Sequence, residues 1–318
     1  MNKTALISVI VIIFRMSRQA SNTLFTLSTA YQRNVSEDAY EVIVVENASD
    51  DILGEERALS FGENFRYFLR YETSPSPVKS VNFGFSQSRA PMIGFMIDGA
   101  RMLTPRVIEY ALYAQRITPY ALVDVPGYHL GTNWHQFNQT YGYNEDVEKD
   151  LLGTVDWKQN GYLLFEICSL SEANRSGYLS PIMECNCLFC SRESFEKTGR
   201  ADERFNLPGG GMINLHLLRC LSMLPESKVV VLPGEGSFHQ YHGGVTTQES
   251  GQHEALIKSF HEQYEKLMGH PLKLYPREPM MIGAVTGWAQ KFLQKSAEKA
   301  GRRFLRLSNQ GEKEWPND

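Results

Sequence analysis

The chain alternates short, wholly apolar runs with amphipathic stretches. Leu6 to Phe14 is almost entirely β-branched or apolar, and a run apolar on both faces predicts a central parallel strand covered by helices. Ala20 to Tyr31 places Leu24, Leu27 and Tyr31 on one stripe, which predicts a helix. Tyr40 to Val45 is a second buried strand, ending in the polar turn from Glu46 to Asp51. Phe65 to Tyr71 predicts a third, more polar strand, and Ser74-Pro75-Ser76-Pro77 a stiff loop. Val78 to Ser88 follows as a short helix, and Met92 to Ile97 as a fourth buried strand that stops at Asp98. Such alternation predicts an α/β protein with a mostly parallel central sheet flanked by helices. Ligands bind outside the carboxyl ends of such strands, where Glu46 and Asp98 stand.

Thr104 and Pro105 predict the cap and first position of another helix, running to about Arg116. Ala121 to Val125 is a further strand. From Pro126 to Pro181 periodicity weakens and Tyr, Asn, Trp and Gln accumulate, predicting an irregular region over one end of the sheet. Met183 to Phe189 alternates as a strand, Ser191 to Thr198 and Ile213 to Leu224 as helices, and Lys228 to Leu232 as a strand. The tail is helical, from His253 to Met268 and again from Gly287 to Arg306.

Composition narrows the class. The 318 residues are 42% hydrophobic and 21% charged, which supports a packed core. The formal charge of −4 speaks against a protein that grips nucleic acid backbone. Five cysteines, three of them clustered, do not make a disulfide framework and favour a reducing, cytoplasmic setting. The apolar start is shorter than a membrane span needs and lacks a cleavage site, so it reads as a buried strand.

Three groups of residues carry candidate chemistry. Asp98, at the end of a buried strand, suits a divalent cation bridging two phosphates, although a turn carboxylate is the ordinary alternative. His239 and His242 offer imidazole ligands beside Gly243-Gly244. Cys185, Cys187 and Cys190 lack the spacing and the fourth ligand of a closed zinc site, so packing in the core is the better reading. In the tail, Lys291, Lys295 and Lys299 stack on one helix face, and Arg302, Arg303 and Arg306 extend the patch. With Trp288, Phe292, Leu293, Phe304 and Leu305, segment 288–306 suits either an anionic membrane surface or packing against the domain.

Taken in order, seven pieces over about residues 7 to 245 resemble the family-two glycosyltransferases, which have the GT-A fold. They include ISVIVIIFR, VIVVENASDD, NFGFSQSRAPMIGFMIDGARMLTP, CSRESFEKTGRADERF, a Gly-rich loop with its helix, and a His near Gly-Gly. The resemblance implies a Rossmann-like nucleotide-binding half over about 1–125, an acceptor half over about 126–250, and a helical extension from 251 to 318. It implies nucleotide-sugar contacts at Ile13, Arg15, Glu46, Asp50, Lys79, Asn82 and Asp98. It implies a weakly held Mn²⁺ or Mg²⁺ on Asp98 with His239 or His242. The sequence departs from the family where Ala100 replaces the second Asp of Asp-x-Asp, and where Gly211, Met212 and Asn214 replace acidic positions that include the usual base. Glu184 or His216 would then stand in as base, and Arg101 would neutralise phosphate charge.

The implied activity is transfer of a sugar from a nucleotide diphosphate-sugar to a hydroxyl acceptor, a saccharide or lipid-linked saccharide of a cell-surface polymer. The implied location is cytoplasmic, at the inner face of a membrane. The alternative is an inactive nucleotide-sugar-binding or scaffold protein. A nucleotidyltransferase would carry glycines in its basic first loop, and IIFRMSRQ has none.

Overall fold

A computed structural model describes residues 5–133, 142–180, 186–243, 250–273, 275 and 277–311. In chain order the first elements are β1 (Ile7–Ile13), α1 (Ser17–Leu27), β2 (Tyr40–Asn47), α2 (Glu55–Leu59), β3 (Phe65–Arg70), α3 (Val78–Gln87) and β4 (Met92–Met96). Then come β5 (Arg101–Leu103), α4 (Val107–Ile117), β6 (Ala121–Asp124), β7 (Gly127–Leu130), α5 (Glu145–Gly153) and β8 (Cys168–Leu170). The rest is β9 (Leu188–Ser191), α6 (Arg192–Lys197), α7 (Ile213–Met223), β10 (Lys228–Val231), β11 (Ser237–His239), α8 (Ser250–Met268), β12 (Met280–Met281) and α9 (Gln290–Gln310).

The strands form two separate sheets. The larger has eight strands in the order β12-β10-β6-β9-β4-β1-β2-β3, and the smaller has four in the order β5-β11-β7-β8. This corrects the expectation of a single, mostly parallel GT-A sheet. Within the large sheet β9 runs antiparallel to both β4 and β6. The small sheet mixes antiparallel β5–β11 and β7–β8 pairs with a parallel β11–β7 pair. The supposedly irregular stretch after Pro126 supplies two of its strands.

β1 shows why a run that is apolar at all but one position becomes a central strand. Ile7, Val9, Val11 and Ile13 enter one core cluster with Leu24 and Leu27 of α1 and Val107 and Ile108 of α4. Ile10 and Ile12 enter the opposite cluster with Val81 and Phe85 of α3, Leu217 of α7 and Tyr264 of α8. Alternate residues therefore fill both faces, and the one polar residue of the strand, Ser8, is buried with its hydroxyl donating to Glu41 at 2.6 Å. Gly84, the glycine of the Asn-x-Gly stretch, lets α3 lie close on β1, because a Cβ there would stand 2.5 Å from Ile10 Cγ2.

The small sheet is two-faced. Met102, Phe238, Tyr128 and Leu170 occupy one cross-strand row. They pack with Phe165 and, from α9, Phe292 in a third core cluster. Full burial of Phe238 stabilises by about 2–3 kcal/mol. The adjacent row, on the other face, is Arg101, His239, His129 and Ser169.

Thr104 does not cap α4. The cap position is Arg106, and Thr104 Oγ1 instead accepts from the Gly236 amide at 2.9 Å. Cys187 and Cys190 are buried in opposite core clusters, so they do not share a site; Cys185 lies outside the described residues. No helix among the described residues is long and apolar enough to cross a membrane.

Candidate functional site

The site forms where the carboxyl ends of β1, β2 and β4 meet the polar row of the small sheet. The chain leaves β4 and turns at Asp98, whose Oδ1 accepts from the Ala100 amide at 3.1 Å. Gly99 makes this turn possible, because a Cβ at 99 would fall 2.4 Å from the Ile12 carbonyl. The turn delivers Arg101 into β5, directly across from His239 on β11.

Asp98, His239 and His242 offer donor atoms that all lie within 4.8 Å of one another. His239 Nε2 is 2.8 Å from Asp98 Oδ2, His242 Nε2 is 3.6 Å from Asp98 Oδ1, and the two Nε2 atoms are 3.2 Å apart. Two donors about 2.1 Å from one ion and at right angles to it stand about 3.0 Å apart, so these three fit one face of a divalent ion's shell. Burial works to raise the Asp98 carboxyl, but His239, His242 and Arg101 outweigh it and hold it well below the usual carboxylate range. Burial lowers His239 to about 4 against the pull of Asp98. Near neutral pH the pair is therefore a carboxylate and a neutral imidazole, the charge states that ligate a metal.

Arg101 is buried beside the triad. Its Nε lies 3.6 Å from Asp98 Oδ2 and makes no hydrogen bond within the described structure. A guanidinium so placed carries positive charge to any anion that reaches Asp98.

The loop bearing the two histidines is clamped from both sides. Gln240 donates to the Gln19 carbonyl at 3.0 Å and accepts from Asn22 at 2.8 Å, both on α1. Gln19 donates to the Tyr241 carbonyl at 2.6 Å. From α5, the buried Glu148 accepts the Tyr241 amide at 2.7 Å and the Tyr143 hydroxyl at 3.1 Å, with Arg18 3.6 Å from its other oxygen. Burial raises Glu148 to about 7 despite these partners. α5 is itself started by Asn144, whose side chain accepts from the Asp146 and Val147 amides. The backbone between the two imidazoles is thereby fixed.

The remaining sequence candidates are placed as follows. Ile13 is buried at the end of β1. Arg15 follows with a left-handed φ of 53° and holds Asp50 at 2.7 Å across the mouth between β1 and β2. Glu46 is fully buried, and its oxygens accept from the Leu53 and Gly54 amides and the Tyr67 hydroxyl. It shapes the acidic turn from beneath. Lys79 is exposed on α3, and Asn82 bridges α3 to Ala201 and Glu203. His216 packs against Phe205 and Tyr264 with Nε2 3.5 Å from Cys220 Sγ, and makes no contact with the triad. Glu184 lies outside the described residues. A cavity of about 550 Å³ opens along edge strand β3, and no triad residue lines it.

Sequence reasoning missed His129, whose ring lies 5.2 Å from that of His239, and Glu148. The Tyr-His-Leu alternation of 128–130 was the available signal for His129. Nothing local announces Glu148, which reaches Tyr241 across 93 residues.

No family model matches the chain, and no curated protein sequence matches it. The resemblance to GT-A enzymes of family two is corrected accordingly, since the strands form two separate sheets. Among solved structures, the chain is similar to S. aureus TarS at 12% identity, covering 81% of this chain and 39% of that one, with a TM-score of 0.49. A 1–349 form of TarS in complex with UDP-GlcNAc matches at 14% identity over 94% of this chain and 72% of that one, with a TM-score of 0.47. The same form with UDP gives 13%, 94%, 71% and 0.46. This chain thus spans well under half the length of the first, and likeness at this level does not fix an activity.

Proposed function

We propose that the protein transfers a sugar from a nucleotide diphosphate-sugar to a hydroxyl of a saccharide acceptor. The observation that carries this is the convergence of Asp98, His239, His242 and Arg101 at the carboxyl ends of parallel strands, next to the Arg15–Asp50 mouth. Asp98 and the two imidazoles would hold one divalent ion, and the mixed nitrogen and oxygen set suits Mn²⁺ better than Mg²⁺. The ion, when bound, supplies charge to the departing diphosphate. Arg101 adds a fixed positive charge from the protein. The Glu148 and Gln240 clamps keep the imidazoles from moving as charge develops.

A second reading, nucleotide-sugar binding without turnover, is favoured by one observation. The loop before α7 is Pro208–Gly210, Gly211 and Met212, with no carboxylate to activate an acceptor. Binding and turnover of a panel of nucleotide-sugars, with and without Mn²⁺, separates the two. Nucleotide binding indifferent to divalent ions and to Asp98→Ala, with no donor turned over, would sink the transferase reading.

The acceptor we favour is a lipid-linked saccharide reached at an anionic membrane surface. On α9, Phe292 and Ser296 are buried, while Phe304 and Leu305 are 59% and 62% exposed among Lys291, Lys295, Arg302 and Arg306. Lys299 and Arg303 are drawn inward to the Arg175 and Leu179 carbonyls. Binding to vesicles of anionic lipid should fall with salt and weaken by about 1 kcal/mol for each of Lys291, Lys295 and Arg302 neutralised. Salt-independent binding, or none, would leave α9 as a packed tail.

A further inference from the structure

The outer edge of the large sheet carries a pattern the sugar chemistry does not use. β3 ends the sheet, and among the described residues no strand pairs with its outer side. The Val42 amide donates to the Asn64 carbonyl and the Ala48 amide to the Arg70 carbonyl. Even-numbered residues of β3 therefore point their main-chain groups at β2. Tyr67 and Leu69 present theirs outward, the Phe65 amide donates to the Gly62 carbonyl, and Tyr71 directly follows the strand. Leu69 is 37% exposed and Tyr71 83%. The cavity of about 550 Å³ runs along residues 67–72 between Glu55 of α2 and Phe83 of α3, and leaves room beside this edge.

We propose that β3 is a self-complementary docking edge, through which two copies of this chain pair antiparallel about a two-fold axis at Leu69. Outward main-chain groups must meet outward ones, which restricts the axis to Tyr67, Phe68, Leu69 or Arg70. An axis at Phe68 sets Arg66 against Arg70 of the other copy, and an axis at Arg70 sets Arg70 against itself; like charges directly opposite are destabilising. An axis at Leu69 sets Arg66 against Glu72 twice, Tyr67 against Tyr71 twice, Phe68 against Arg70 twice, and Leu69 against itself. An axis at Tyr67 sets Tyr67 against itself but Arg66 against Phe68 and Arg70 against Asn64, so it brings no Arg opposite a Glu. Within one copy, Arg70 already lies 4.2 Å over the Phe83 ring and pairs with Glu72, and Arg66 lies 3.0 Å from Glu41. The charges that usually blunt an edge strand here select one register of self-pairing.

Sedimentation of the full chain over a wide concentration range tests this, independently of any sugar chemistry. The unaltered chain should dimerise. Arg66→Glu alone places Glu against Glu twice, and Glu72→Arg alone places Arg against Arg twice, so each should weaken self-association by about tenfold. An equimolar mixture of the two variants restores both opposite-charge pairs and should dimerise like the parent. Leu69→Pro removes one outward amide without touching the β2 ladder, and should give a folded monomer by circular dichroism. A parent chain monomeric throughout, a Leu69→Pro chain that still dimerises, or a mixture no tighter than its components would overturn the proposal.

Discussion

The two sheets are built on different physical terms. Each strand of the large sheet's centre is defined by its own sequence. All seven residues of β1 are buried, and five of the eight residues of β2 are Val, Ile or Tyr. The small sheet is made of three- and four-residue strands that cannot stand alone. It exists because Phe238, Tyr128 and Phe292 pack together on its apolar face, and because Thr26 of α1 and Tyr31, just after that helix, grip Leu103. The large sheet thus supplies the strand ends at which a ligand would bind, with Asp98 just beyond one of them, and the small sheet supplies Arg101 and His239. The supported sheet should also be the more easily lost.

Phe238 offers the largest test of that difference. Phe238→Ala is expected to cost about 3–5 kcal/mol of unfolding free energy and to abolish ion binding, by releasing the His239 strand. Ile43→Val, equally buried in the large sheet, should cost about 1 kcal/mol and leave ion affinity unchanged. Denaturant titration paired with Mn²⁺ calorimetry checks both, and equal loss of the ion in the two variants would break the distinction.

Asp98→Ala comes next. It should leave the circular dichroism intact while lowering Mn²⁺ affinity by at least about a hundredfold, with nucleotide binding becoming insensitive to the ion. Arg101→Ala should weaken a nucleoside diphosphate by about 1.5–3 kcal/mol and leave the bare nucleoside unaffected. Equal losses for both ligands would mean that Arg101 does not face phosphate.

The smallest effect concerns the clamp. Glu148 is raised to about 7 in the folded protein, above its unfolded value of 4.5. Folding therefore retains a proton between those values. Its contribution to stability is fully present below about pH 4.5 and lost as pH rises through 7. Glu148→Gln, which stays neutral, should gain on the parent by about 2 kcal/mol between pH 5 and pH 8. Melting curves of the two proteins that run parallel over that range would show that Glu148 does not titrate there.

How much of this was legible in the sequence follows the same division. The strands Tyr40–Asn47, Phe65–Arg70 and Met92–Met96 and the helix Val78–Gln87 lie within two residues of where apolar periodicity puts them. Each satisfies its own burial pattern locally. β5, β7, β8 and β11 were missed, because three or four residues fall below any periodic window and Gly127 to Leu130 sits in a stretch rich in polar aromatics. Glu46 was read as a ligand contact because its position at a strand end is visible. Its engagement by Leu53, Gly54 and Tyr67 is a matter of how the loop folds back.

The sequence by itself determined where the chain buries itself and which residue types are able to ligate or carry charge: Asp98, His239, His242 and Arg101. Only the tertiary structure decided that these four meet. Asp98 and His239 are separated by 140 intervening residues, and their 2.8 Å contact depends on β5 and β11 pairing in one register. Register between distant strands is set by the packing of the faces beneath them, here Met102 and Phe238 on Tyr128, and a linear pattern holds no record of which face will find which.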